Sequence, residues 1–132
     1  MTQNNLATAY QNRIKGHKTN NLKEAIKFYH NALKIRGKED DPLNCLQTAR
    51  NLGILHYGEE QWQPATEAYN TAIEAVEKAR LEALNPQDRQ EVLSNAIDVF
   101  HRIVQAHLNL NQPEKALEYI ERSKGRNLVE LI

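Results

Sequence analysis

The chain is poor in the residues that interrupt helices or build disulfide frameworks. Five glycines and four prolines in 132 residues leave few breaks, and seven tyrosines and phenylalanines with one tryptophan leave little aromatic surface. A single cysteine, Cys45, excludes an internal disulfide and fits a reducing interior, so a cytoplasmic location is expected. As a lone thiol near a helix start, Cys45 is read as a small apolar filler rather than a nucleophile. No excess of either charge exists, since 17 lysines and arginines face 17 aspartates and glutamates. That balance argues against nucleic acid, whose binders carry a basic face. No apolar run approaches the roughly 20 residues that span a bilayer, and no signal-peptide pattern opens the chain, so no membrane partner is expected.

What is abundant is Ala, Leu, Glu, Lys, Gln and Asn, the composition of an all-helical protein. One spacing occurs three times. Ala25-x3-Tyr29-x2-Ala32 is matched by Ala65-x3-Tyr69-x2-Ala72 and, more loosely, by Ala116-x3-Ile120-x2-Ser123. Positions three and four apart share a helical face, so each run lines up small, large and small side chains. Upstream of each lies a partner element: Leu6-Ala7-x2-Tyr10, Leu52-Gly53-x2-His56 and Ile103-Val104-x2-His107. Such pairs encode antiparallel helices that approach closely at the small residues, and repeated pairs stack into a solenoid.

Start and stop signals place the helices. Thr2 caps a first helix with Leu6, Ala7, Tyr10 and Ile14 on one face, and Gly16 ends it. A second carries Leu22, Ala25, Ile26, Tyr29, Ala32 and Leu33, with Gly37 as its stop. Asp41-Pro42 opens a third that ends near Gly58, because a proline at the first helical position gives up no needed N–H. A fourth is predicted from Trp62–Pro64 to Leu84, a stretch without a breaker. Asn85-Pro86 and Asn111-Gln112-Pro113 repeat the start signal twice more. Nothing reads as a strand.

These residues resemble the tetratricopeptide repeat (TPR) family, whose signature joins Leu-Gly-x2-Tyr in one helix to Ala-x3-Phe/Tyr-x2-Ala in the next. The middle unit fits best, with the family's twelve-residue step from Gly53 to Ala65. His56 stands in place of tyrosine and Ala49 in place of a large residue, departures expected to weaken packing at two points. In the first unit the step from Ala7 to Ala25 is eighteen residues, and the third replaces Gly, Tyr and Ala with Val104, His107 and Ser123. The resemblance implies one domain, a right-handed TPR-like α-solenoid of about three antiparallel helix pairs, over about 2–36, 42–84 and 86–132. More narrowly, the opening Leu6–Ile26 and the run from Ala116 to Leu128 look like the TPR arrays of bacterial proteins that carry a caspase-like (CHAT) protease domain. The protease residues of that family map onto nothing here.

The resemblance implies a non-catalytic protein–protein interaction module or scaffold. In TPR proteins the first helix of each pair lines a concave groove that grips a peptide or a partner protein. Carried over by spacing, the groove positions are Asn4, Asn5, Thr8 and Gln11 on the first helix. Gln47, Arg50, Asn51, Ile54 and Tyr57 follow on the third, then Asp98, His101, Arg102, Gln105 and Leu108 on the fifth. Arg50 and Arg102 are expected to pair with ligand carboxylates. Asn51 and Arg102 match positions that clamp carboxylate tails in other TPR domains. Asn4, Thr8 and Asp98 break that pattern, the last by reversing a charge. Asn5 and Asn51 read equally as bonds between helices.

No cofactor and no metal site is expected. His101 and His107 are six apart, out of phase for one helical face, and no HExxH or Cys/His cluster occurs. His56 and His107 are read as partly buried polar groups between stacked helices. Trp62 either staples the preceding loop or stands exposed as an anchor. Leu128, Val129, Leu131 and Ile132 form an apolar tail, which implies folding back, docking on a following domain, or self-association through the C-terminal helix.

Overall fold

The computed structural model describes residues 18–35 and 41–125. The expected first helix lies outside the described residues, with Asn4, Asn5, Leu6, Ala7, Thr8, Tyr10 and Gln11, and so does the apolar tail. The described chain is built of α-helices joined by short connections, one of them a 3₁₀ turn, and no strand occurs among those residues. The helices are α1 (Lys18–Ile35), α2 (Pro42–Gly58), α3 (Trp62–Lys78), α4 (Pro86–Asn109) and α5 (Pro113–Gly125). Each packs on its neighbours in the chain, and α2 also touches α4, giving a TPR-like α-solenoid.

Local chemistry sets the helix starts. The Asp41 carboxylate accepts the Asn44 N–H at 3.2 Å, ahead of Pro42 at the first helical position. Asn85 does the same for α4, its Oδ1 accepting the Asp88 N–H at 2.8 Å. Asp88 also places a negative charge in that first turn, where the helix dipole favours it.

The fourth predicted helix stops short of Leu84. Ala79 turns extended (φ −72°, ψ 143°), so α3 ends at Lys78 and a 3₁₀ turn follows at Leu81–Ala83. The break has a physical reason that no glycine or proline announces. It lets Leu81 and Leu84 pack against the core, while Arg89 reaches back from α4 to carbonyls of this turn. Its guanidinium donates to the oxygens of Leu81 (3.0 Å) and Leu84 (2.8 Å).

The core is built of small residues alternating with large ones. Ala49, Ala65, Ala72 and Ala75 are fully buried and let the backbones approach, while Tyr69, Ile73, Val76, Val99, Phe100 and Ile103 fill the space between. Burial of each of the larger aliphatic side chains contributes about 1.5–3 kcal/mol. A second cluster joins α1 to the rest, with Ala25 and Tyr29 against Leu52, Leu55 and Ala68.

The two complete helix pairs share one turn design. His56 Nδ1 and Gln61 Oε1 lie 2.8 Å apart, and His107 Nδ1 and Gln112 Oε1 lie 2.8 Å apart, fifty-one residues further on. In each turn the glutamine N–H also donates to the histidine carbonyl, at 2.9 and 2.8 Å. The residue before each glutamine is left-handed, Glu60 at φ 56° and Asn111 at φ 61°. The histidines therefore do not loosen the positions where tyrosine was expected. Both are buried and tied to the turn that follows them. Ala49 likewise leaves nothing exposed, at 0 %.

Candidate partner-binding face

Helices α2 and α4 are the first members of their pairs, and their i, i+3, i+4 positions place the candidate residues along one side of each. On α2, Gln47 is exposed, while Arg50, Asn51, Ile54 and Tyr57 are half-buried. On α4, His101 and Gln105 are exposed and Arg102 is half-buried. The side-chain amide of Gln105 donates along its own helix to Asn109 Oδ1 at 3.0 Å.

Three charged side chains converge where α2 passes α4. Arg50 Nε donates to Asp98 Oδ2 at 3.0 Å, and Arg102 Nε donates to Oδ1 and Oδ2 at 2.9 and 3.1 Å. Asp98 and Arg102 are one helical turn apart, so a single carboxylate collects both guanidiniums. The arginines expected to await a ligand carboxylate each hold one already. Burial draws the Arg102 guanidinium's pKa down, and Asp98 together with Tyr69 and Tyr57 more than offsets that, leaving it above its ordinary value.

Aromatic residues continue the face toward the α2–α3 turn. The Arg102 guanidinium carbon lies 5.2 Å from the centre of the Tyr57 ring, within cation–π range. Tyr57 meets Trp62 edge to face at 5.0 Å and Tyr69 at 6.3 Å. Trp62 is half-buried and packs back across the turn, the arrangement of a staple. Beneath them the Tyr69 hydroxyl is buried and has no hydrogen-bond partner among the described residues. Burial pushes its pKa well above the ordinary tyrosine value, against the opposing charge of Arg102.

In the sequence Asp98 stands out only as a reversed charge, whereas in the structure it organises the cluster. The Asp98-x3-Arg102 spacing was the available signal, whereas the link to Arg50 depends on how α4 is rotated against α2. Elsewhere, a cavity of about 170 Å³ opens between α1, α2 and α3, lined in part by His30, Leu52, His56 and Glu67. No group of three or more His, Cys, Asp or Glu side chains among the described residues could hold a metal ion. No helix among them is long and apolar enough to cross a membrane.

A profile of the tetratricopeptide repeat family matches residues 1–78, more than half of the chain, and a second matches residues 97–127. The chain belongs to the tetratricopeptide repeat family. No curated protein matches it. Tetratricopeptide repeats generally mediate protein–protein interaction and are typically non-catalytic. In this TPR protein the second matched segment takes in Asp98 and Arg102 together with α5, and the first ends at Lys78, where α3 ends. The break at Ala79 and the 3₁₀ turn fall between the two matched segments.

Proposed function

We propose that the chain is a non-catalytic interaction module that holds a peptide or partner protein along the face of α2 and α4. The observation that carries this reading is the state of the two arginines. Each uses its Nε for Asp98, which is the one carboxylate either pairs with among the described residues. Their terminal nitrogens remain as donors, those of Arg102 beside Tyr57, whose ring adds flat apolar area. Gln47, Asn51, Ile54, His101 and Gln105 extend the face along both helices; Asn5 and Thr8 belong to the same proposed set and lie outside the described residues. The test is a pull-down from lysate of the source with the purified chain, beside an Arg50→Ala/Arg102→Ala double variant. A partner retained by the chain and lost by the folded variant supports the reading, and equal retention by both sinks it.

A second reading, a self-associating scaffold, is favoured by α5. Leu117 is 56 % exposed and Ile120 is 37 % exposed, three positions apart on one face. Sedimentation of the chain beside Leu117→Lys/Ile120→Lys tests it, and a monomer at high concentration before any substitution removes it. A regulatory role beside a CHAT protease domain rests on the resemblance of Leu6–Ile26 and of the run from Ala116 to Leu128. Reading the gene downstream of Ile132 decides that.

A further inference from the structure

The geometry points to Asp98 as a selectivity residue of the α2–α4 face, tuning it to a partner segment with a single acidic side chain rather than an acidic run. This rests on the interaction-module reading above. Arg50 reaches Asp98 from α2 while Arg102 reaches it from one turn along α4, both through Nε, at 2.9–3.1 Å. Nε is one edge of the guanidinium. The NH1/NH2 end of each fork stays available and can take a carboxylate with two parallel bonds. Arg102 is further fixed by resting on the Tyr57 ring.

Two cations and one anion leave the cluster with one net positive charge. A first ligand carboxylate meets that charge and finds donors already oriented, because Asp98 holds both side chains in place. Once it is bound, the cluster is neutral. A second acidic side chain then gains no net attraction and lies near the Asp98 charge as well. A positively charged groove without Asp98 would instead strengthen with each added acidic residue. A purely structural triad, tying α2 to α4, predicts a third pattern: altered stability with no dependence on ligand charge.

The test uses short peptides of one apolar-polar sequence carrying no, one or several glutamates, with blocked ends and a label of no net charge (a boron-dipyrromethene dye). Binding to the full chain and to Asp98→Asn is followed by fluorescence anisotropy, and circular dichroism checks that both are folded. The original chain should gain affinity from the first glutamate and little from the others. Asp98→Asn should bind the several-glutamate peptide about tenfold more tightly, as a change in interfacial charge pairing produces. Its binding of the glutamate-free peptide should be unchanged. Adding Arg50→Gln to Asp98→Asn should remove the gain. Equal affinity of the chain and Asp98→Asn for the several-glutamate peptide overturns the inference. So does a steady gain with each glutamate in the original chain, or no binding of any peptide by either protein. The interaction reading itself stands or falls separately, on the pull-down.

Discussion

The ring of Tyr69 lies against Gly53, on the neighbouring helix, so closely that no other residue fits there. A Cβ at position 53 would stand 2.8 Å from Tyr69 Cζ and closer still to Cδ1 and Cε1. Tyr69 is 0 % exposed and walled by the core, so the ring has no room to withdraw. Gly53→Ala should therefore destabilise the fold by about 1–3 kcal/mol, even though alanine is the better helix former. Urea unfolding checks this. A stabilised Gly53→Ala variant would mean that α2 and α3 can separate at no cost.

The same tyrosine makes a second prediction of opposite sign. Its hydroxyl is buried without a partner among the described residues, and leaving such a group unpaired costs about 1–3 kcal/mol. Tyr69→Phe should keep the ring and match or exceed the original stability near neutral pH, by about 1 kcal/mol. Tyr69→Ala should lose about 3–5 kcal/mol. A marked loss in Tyr69→Phe would show that the hydroxyl has a partner, with Arg102, whose charge acts on it, as the candidate.

Alkaline titration follows from the pKa shift of that hydroxyl. Burial holds it above its ordinary value near 10, so the folded chain keeps a proton that the unfolded chain releases. Stability from this source is complete below about pH 10 and is lost as pH rises beyond it. Tyr119 is raised too, first by burial, and adds to the fall. Unfolding curves measured across the alkaline range should show the decline, and Tyr69→Phe should make it shallower. An identical slope in both proteins would assign the decline elsewhere.

Much of the fold was legible because its signals are local. Asp41-Pro42 and Asn85-Pro86 mark helix starts by side-chain geometry that needs nothing from the rest of the chain. The Ala65-x3-Tyr69-x2-Ala72 spacing likewise names a buried face, since all three residues are at 0 % exposure. The end of α3 was not legible. It is settled by Leu81 and Leu84 finding the core and by Arg89 capping carbonyls from the next helix. The candidate face was legible as a set of positions, because helical phase alone groups Gln47, Arg50, Asn51 and Ile54. Its electrostatics were not, since Arg50 and Asp98 are forty-eight residues apart and meet only when the pairs stack.

The repeated turn offers a prediction about backbone strain. Glu60 and Asn111 hold equivalent left-handed positions, yet asparagine adopts that conformation far more readily than glutamate. Glycine adopts it freely. Glu60→Gly should stabilise the chain by about 1 kcal/mol, and Asn111→Gly by less. Removing the side-chain bond has the reverse effect: Gln61→Ala or Gln112→Ala leaves a buried histidine short of a partner and should cost about 1–3 kcal/mol. The two turns are in different pairs, so the two losses should add in the double variant. A double variant no worse than either single one would mean that the turns unfold together.

Arg122 links α5 to α3 in a way that separates charge from geometry. Its NH2 donates to Glu77 Oε1 at 2.6 Å and its Nε to Oε2 at 3.1 Å, a two-bond fork, and its guanidinium carbon lies 5.0 Å from the Tyr119 ring centre. Tyr119 in turn donates its hydroxyl to Asn70 Oδ1 at 2.6 Å and stacks on His107. The Glu77 bond is the main reason Arg122 holds its proton above the ordinary arginine value. Both side chains are nearly a third exposed, so solvent screens the pair, and a double-mutant cycle of Arg122→Ala and Glu77→Ala should give a coupling of about 1 kcal/mol. Raising the salt concentration should shrink it. Arg122→Lys keeps the charge but cannot form the fork or lie flat on Tyr119, so it should lose most of that coupling. If lysine restores the full value, charge alone holds α5 in place, and the fork is incidental.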